Sequence, residues 1–262
     1  MQHVVVQMFY DHSVGWGHAR SADFLRFTQL DDAITNFSAS SGSILMLPNG
    51  TGHVLAGAGG GLHSMGGVFS AVSTDDKLSA FTALDGSGDK QLVQGSQPVG
   101  ASIGGCSCDF RPPVCNESNP HRSHCSNPSD VCSNHSNIPS VNCSFLNDPH
   151  VFLEEEGNGS YGLLVASARN THSGPSGVPQ TLRFRSEDLL NWRFVSTYWL
   201  QGQDGFEANC PRTECVDRFS MGGKIVHTWS CVGWKAVLWM VGTEVNEVFK
   251  MEKWGRVDWG NY

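Results

Sequence analysis

Two short stretches carry carboxylates in settings where they could do chemistry. Phe145-Leu146-Asn147-Asp148-Pro149-His150-Val151-Phe152 places an aspartate directly before a proline and an apolar run. Thr213-Glu214-Cys215-Val216-Asp217-Arg218-Phe219 places a glutamate where a second such run begins. A carboxylate at a strand mouth is well placed to give or take a proton. Pro149 lacks an N–H, fixes its own φ and biases Asp148 toward an extended backbone; Asp148 is therefore expected to point along a channel axis. An ordinary turn aspartate and a surface glutamate are the plain alternatives, because catalytic carboxylates are the minority.

The elements that must position these residues read as β. Ala19 to Phe27 and Phe184 to Trp192 share the pattern S-x-D-x-L-x-(F/W), and Ser73, Asp75, Leu78 and Phe81 form a looser copy. Ser and Asp bond nearby backbone amides and so suit a turn; the Leu and the aromatic that follow would anchor the next strand. Apolar β-like runs accompany the copies: Val4 to Tyr10, Ile44 to Leu55 broken by P-N-G, Val151 to Ala166 broken by G-N-G, and Lys224 to Val241. Repeats of roughly 40 to 50 residues built from short strands point to propeller blades. The fold class is all-β, with a propeller preferred over a sandwich.

Composition agrees. Apolar residues make up 39% and charged residues only 16%, with 30 glycines; disordered chains are rich in charge and poor in aromatics. The net charge of −8 argues against a nucleic-acid partner. No run of 18 apolar residues is present, so no membrane insertion is expected. Residues 104–143 form an insertion holding Cys106, Cys108, Cys115, Cys125, Cys132 and Cys143 among Ser, Asn and Pro. Three disulfides are the preferred reading there. A zinc site with His121, His124 or His135 is the alternative, although the spacing matches no paired C-x-x-C knuckle. Nine cysteines and six N-x-S/T sequons, at Asn36, Asn49, Asn116, Asn134, Asn142 and Asn158, point to the secretory pathway, hence a secreted or vacuolar protein. No signal peptide is visible at Met1, so it is expected upstream.

Five blocks, in order, resemble glycoside hydrolase family 32. Phe145 to Phe152 resembles its R-D-P block, and Glu214-Cys215 its E-C block. Phe9-Tyr10 with Trp16-Gly17-His18-Ala19 and Ser21-x-Asp23 resembles F-Y-Q … W-G-H-A-x-S-x-D. Ser41-Gly42-Ser43 with Leu47-Pro48-Asn49-Gly50 resembles W-S-G-S … L-P-D-G, and Gly255 to Tyr262 resembles a later G-x-x-D-Y-G-x-F-Y block. The resemblance spans 1–262 as one propeller domain. It implies a five-bladed propeller and retaining hydrolysis of β-fructofuranosyl bonds in sucrose, inulin or levan, with no cofactor and no metal. It assigns Glu214 as acid/base and Asp148 as transition-state stabiliser. Trp16 and Ser41 match substrate-contacting positions. Asn147, Asp11 and Cys215 also fall inside the substrate-binding blocks, Cys215 as a packed neighbour of the acid rather than a nucleophile.

The departures are equally informative. The R-D-P arginine is Asn147, the F-Y-Q glutamine is Asp11, and the Trp before S-G-S is Ser40. The family's nucleophilic Asp lies in a block preceding F-Y-Q and has no counterpart here, and the family's later strands and β-sandwich are likewise unmatched. The chain is therefore expected to be an incomplete propeller, inactive or nearly so by itself. Two further readings stay open: a related arabinan- or xylan-cleaving propeller hydrolase, and a non-catalytic secreted carbohydrate-binding propeller.

Overall fold

The computed structural model describes residues 5–12, 15–35, 39–58, 68–83, 93–94, 97–98, 102–104, 143–154, 159–171, 174–189, 191–206 and 210–257. Four twisted antiparallel sheets follow one another along the chain. The first is β1 (Val6–His12), β2 (Gly15–Ser21) and β3 (Thr28–Gln29). The second is β4 (Ala39–Met46), β5 (Gly52–Ala58), β6 (Val68–Ser73) and β7 (Phe81–Ala83). A small separate hairpin, β8 (Val93–Gln94) and β9 (Gln97–Pro98), comes next. The third sheet is β11 (Cys143–Leu153), β12 (Tyr161–Thr171), β13 (Gly174–Ser186) and β14 (Asn191–Leu200), with β10 (Ser102–Gly104) added parallel to β14. The fourth is β15 (Thr213–Met221), β16 (Lys224–Cys231), β17 (Ala236–Val245) and β18 (Val248–Arg256). Among the described residues the only helical pieces are 3-10 turns at Gln203–Gly205 and Val232–Trp234.

This is an all-β propeller with four blades among the described residues, not the expected five. Among the described residues, the strands outside these four sheets make only the two-stranded β8–β9 hairpin, too little for a fifth blade. The insertion's interior, its proposed disulfides and the Asp258 to Tyr262 block lie outside the described residues. The run Lys224 to Val241 is two strands, parted by the turn at Val232–Trp234.

The S-x-D motif is the turn that leads into the last strand of a blade. Asp23 Oδ1 accepts the N–H groups of Leu25 and Arg26 at 2.9 and 2.8 Å. Asp75 does the same for Lys77 and Ser79, and Ser186 Oγ accepts from Asp188 and Leu189. The motif follows β6 and β13, the third strands of their blades, but it follows β2 in the first. By that register β1 and β2 correspond to the second and third strands of a complete blade. The anchoring expected after each turn holds in two copies: Leu78, Phe81 and Trp192 are buried. It fails in the first, where Leu25 is 85% exposed and Phe27 39%, because no described residue covers that turn.

Hydrophobic cores lie between blades, not within a single central mass. Along β12 the side chains alternate faces. Leu163 and Val165 join a cluster with Leu55, Val151 and Trp192 toward the second blade. Leu164 and Ala166 join Trp199, Trp229 and Leu238 toward the fourth. A third cluster, around Trp16, Ile34, Val54 and Phe81, joins the first two blades. Inner strands such as β5 and β12 are thus buried on both faces, which is why their runs read as continuously apolar. Tight hairpins set the registers: Gly222 and Gly223, both at positive φ, turn β15 into β16, a geometry that L side chains resist.

Candidate active site

The first strands of the second, third and fourth blades share one irregularity. The pairing skips between Ala39 and Gly42 on β4, between Asn147 and His150 on β11, and between Glu214 and Asp217 on β15. A bulge of this kind re-aims side chains at a sheet rim. Asp148 (φ 50°) and Cys215 (φ 51°) occupy corresponding positions in their bulges, both in the left-handed region. The extended backbone expected for Asp148 is therefore corrected. The preference imposed by Pro149 is overridden by the bulge, and the missing N–H of Pro149 leaves no ladder bond unmade there. Such strain persists only where surrounding contacts over-determine it.

Those contacts cross three blades. Asp148 is 5% exposed, and its Oδ2 accepts the Cys215 N–H at 2.8 Å. The Ser41 hydroxyl bonds to it from the β4 bulge. Ser43, two residues further along β4, accepts the Val151 N–H at 2.7 Å and so ties β4 to β11. One step along the same strands, His150 Nδ1 lies 2.7 Å from Asp217 Oδ1, and His150 Nε2 lies 3.1 Å from the Arg218 carbonyl. Asp148 and Glu214 are thereby held at the mouths of neighbouring innermost strands.

The electrostatics follow from burial. Desolvation pushes the Asp148 carboxyl above the usual aspartate range, against the Cys215 amide, the Ser41 hydroxyl and the charge of Arg212. Glu214 is also pushed up, by desolvation and the Asp148 charge, with Arg212 opposing. The Arg212 guanidinium reaches Glu214 directly, Nη2 to Oε1 at 2.5 Å. Cys215 is exposed as a residue, not packed as expected. Its thiol is nonetheless pushed up to about 12 by desolvation around the sulfur and by Asp148 and Glu214. A thiol so protonated is no nucleophile at neutral pH.

The structure thus brings together Asp148, Glu214, Cys215 and Ser41. Trp16 is placed differently: it sits on β2 at 5% exposure, packed into the core between the first two blades. It meets Ser41 only as lining of a cavity of about 690 Å³, shared with Phe9, Ser43 and Asp76, which does not include the two carboxylates. The side chains of Asp11 and Asn147 lie outside the described residues. Sequence reading missed Arg212 and Ser43. Ser43 stands two residues from Ser41 on β4, where the period of two along a strand is the signal that would have reached it; Arg212 precedes β15 and carries no such signal. It also missed the disulfide between Cys210 and Cys231, Cα to Cα 5.7 Å, which fastens the approach to Glu214 onto the end of β16. Among the described residues no cluster of His, Cys, Asp and Glu forms a metal site.

No protein-family model matches the chain, and no curated protein matches it either. Solved structures do. The fold is similar to that of a family 32 β-fructofuranosidase from Bombyx mori, with a TM-score of 0.57 and 15% identity over 97% of this chain and 47% of that one. It is similar to an exo-inulinase from Aspergillus awamori, with a TM-score of 0.54 and 14% identity over 95% and 47%. An endo-arabinase from Bacteroides thetaiotaomicron gives a TM-score of 0.54 and 13% identity over 97% and 76%. The chain spans about half the length of the first two, and what it shares with all three is the propeller fold carried by glycoside hydrolases.

Proposed function

We propose that this chain is part of a glycoside hydrolase acting on β-fructofuranosyl linkages of the sucrose, inulin or levan type. The observation that carries the reading is the bond from the Cys215 amide to Asp148 Oδ2 at 2.8 Å, which sets Asp148 beside Glu214 at adjoining strand mouths. Glu214 is the acid/base: its raised pKa suits a group that protonates a leaving oxygen and then takes a proton from water. Asp148 binds sugar hydroxyls and stabilises the positive charge that grows on the sugar ring. The side chain of Ser41 holds Asp148 in place, and no cofactor enters the reaction. A retaining mechanism also needs a carboxylate nucleophile, and none of the blocks matched here supplies it; the 262-residue chain alone is expected to release no fructose. The six sequons and the cysteines support passage through the secretory pathway; Asn49 sits exposed at the β4–β5 turn.

The experiment is to express the product of the full-length transcript and follow fructose release from sucrose and inulin. Release that Glu214→Gln cuts by at least a thousandfold supports the reading. A folded product with no turnover refutes it. One observation favours a second reading, a carbohydrate-binding propeller without catalysis: Glu214 is paired with a cation. Binding of fructose-containing sugars without turnover would establish that alternative.

A further inference from the structure

Arg212 reaches Glu214 at 2.5 Å from a backbone that cannot easily move. Its neighbour Cys210 is bonded to Cys231, Thr213 pairs with Cys231, and the Arg212 carbonyl accepts the Val232 N–H at 3.1 Å. Pro211 packs against Gly233 so closely that a Cβ there would meet the proline ring at 2.3 Å. The guanidinium itself is 44% exposed and projects from this fixed lip. Its charge acts on both Glu214 and Asp148. The groups around Glu214 are few. From β11 it faces Asp148; on its own strand it has Cys215 and, further along, Asp217; its partner across β16 is the uncharged Ser230. Among the described residues, Arg212 is the cation acting on this pair of carboxylates.

We infer that Arg212 is the positioning residue of this site: anchored by the disulfide, it aims Glu214 and opposes its protonation until a ligand's oxygens draw the guanidinium away. The inference rests on the reading of Glu214 as acid/base. A general acid must carry a proton, and a guanidinium in contact with the carboxylate works against that. The exposed guanidinium offers a donor fork to sugar oxygens at the mouth. Binding there would release Glu214 to take up the proton that it then gives away.

The first arm of the test needs no ligand and no turnover, so it can fail independently of the proposed function. The Glu214 carboxyl of the 262-residue protein is titrated by carbon-detected NMR, assigned through Glu214→Gln. In Arg212→Gln the Glu214 midpoint is expected to move up, and Asp148 to move the same way by less. Arg212→Lys keeps a charge but loses the fork, and is expected to restore most of the Glu214 midpoint. Unchanged near-UV circular dichroism in both variants separates this from a loss of fold. An unmoved Glu214 midpoint in a folded Arg212→Gln protein overturns the inference. A second arm uses fructose as the probe: if Arg212 hands over to sugar, saturating fructose raises the Glu214 midpoint in the parent and leaves it unchanged in Arg212→Gln. A fructose-induced shift of equal size in both proteins also overturns it.

Discussion

At the scale of single residues, the molecule keeps a costly group where a cheaper one would fold better. Asp148 is buried, strained at φ 50° and pushed above its ordinary pKa by desolvation. A carboxyl whose folded pKa lies above its unfolded value favours the folded state at low pH and loses that advantage as pH rises through the folded value. At neutral pH the charged Asp148 therefore opposes folding. Asp148→Asn keeps an oxygen for the Cys215 amide and removes the charge. It is expected to be at least as stable as the parent at pH 7, by up to about 1 kcal/mol, with the difference shrinking as pH falls. Urea unfolding at pH 7 and pH 4 checks this; a variant that is clearly less stable at pH 7 would show that the carboxylate contributes stability, and the desolvation argument would lose its basis.

At the scale of elements, the third and fourth blades are joined by a buried charge network as well as by aromatic packing. Arg183, 1% exposed on β13, bonds both carboxylate oxygens of Glu154 at 2.8 Å and also contacts Glu244 of β17. Arg218 on β15 reaches the same Glu244 at 3.2 Å, and its guanidinium lies 4.6 Å from the Phe152 ring. Removing Arg183 leaves Glu154 with only the longer contact to Arg185, at 3.7 Å, and Glu244 with Arg218 alone, both carboxylates still largely desolvated. Arg183→Ala is expected to destabilise the protein by roughly 3 to 5 kcal/mol, and Arg183→Ala combined with Glu154→Gln by less than the sum of the two single changes. Chemical denaturation of the four proteins completes the cycle. Full additivity would mean that the two residues are not coupled.

At the scale of the whole molecule, stability is distributed over the contacts between blades, and buried histidines make those contacts sensitive to acid. His227, fully buried where the third and fourth blades meet, has its pKa pushed down to about 4 by burial. Its Nδ1 donates to the Asp217 carbonyl at 2.9 Å, and its Nε2 accepts from the Thr181 hydroxyl. His53, buried in the second blade against Ser70, is likewise lowered to about 4. Histidines with a depressed folded pKa contribute stability that is fully present above the unfolded value of about 6.5 and is lost as pH falls toward the folded one. The protein is therefore expected to lose on the order of 2 to 3 kcal/mol per histidine between pH 6.5 and pH 4. Unfolding free energies measured across that window would show it, and a flat profile would contradict the burial argument.

The sequence by itself determined the class of fold and the residues that stand at the strand mouths. Apolar runs, turn residues and the S-x-D copies are local signals, and each acts within a few residues of chain. That is why the β-turns at Asp23, Asp75 and Asp188 fell where expected, whereas Asp148 and Glu214 were singled out from the plain alternatives only by the resemblance of their blocks. Tertiary structure alone decided the four blades seen among the described residues, because a repeat period does not say which strands will pair into one sheet. It also decided the left-handed backbone of Asp148 against the preference of its proline, the Cys210–Cys231 bond, and the meeting of Arg212 with Glu214 under the influence of Asp148. The backbone of Asp148 and its influence on Glu214 depend on strands far apart in sequence coming together, because Cys215 and Ser41 reach Asp148 from other blades. The disulfide and the Arg212 contact depend on how the β15–β16 hairpin closes, and no local pattern records either.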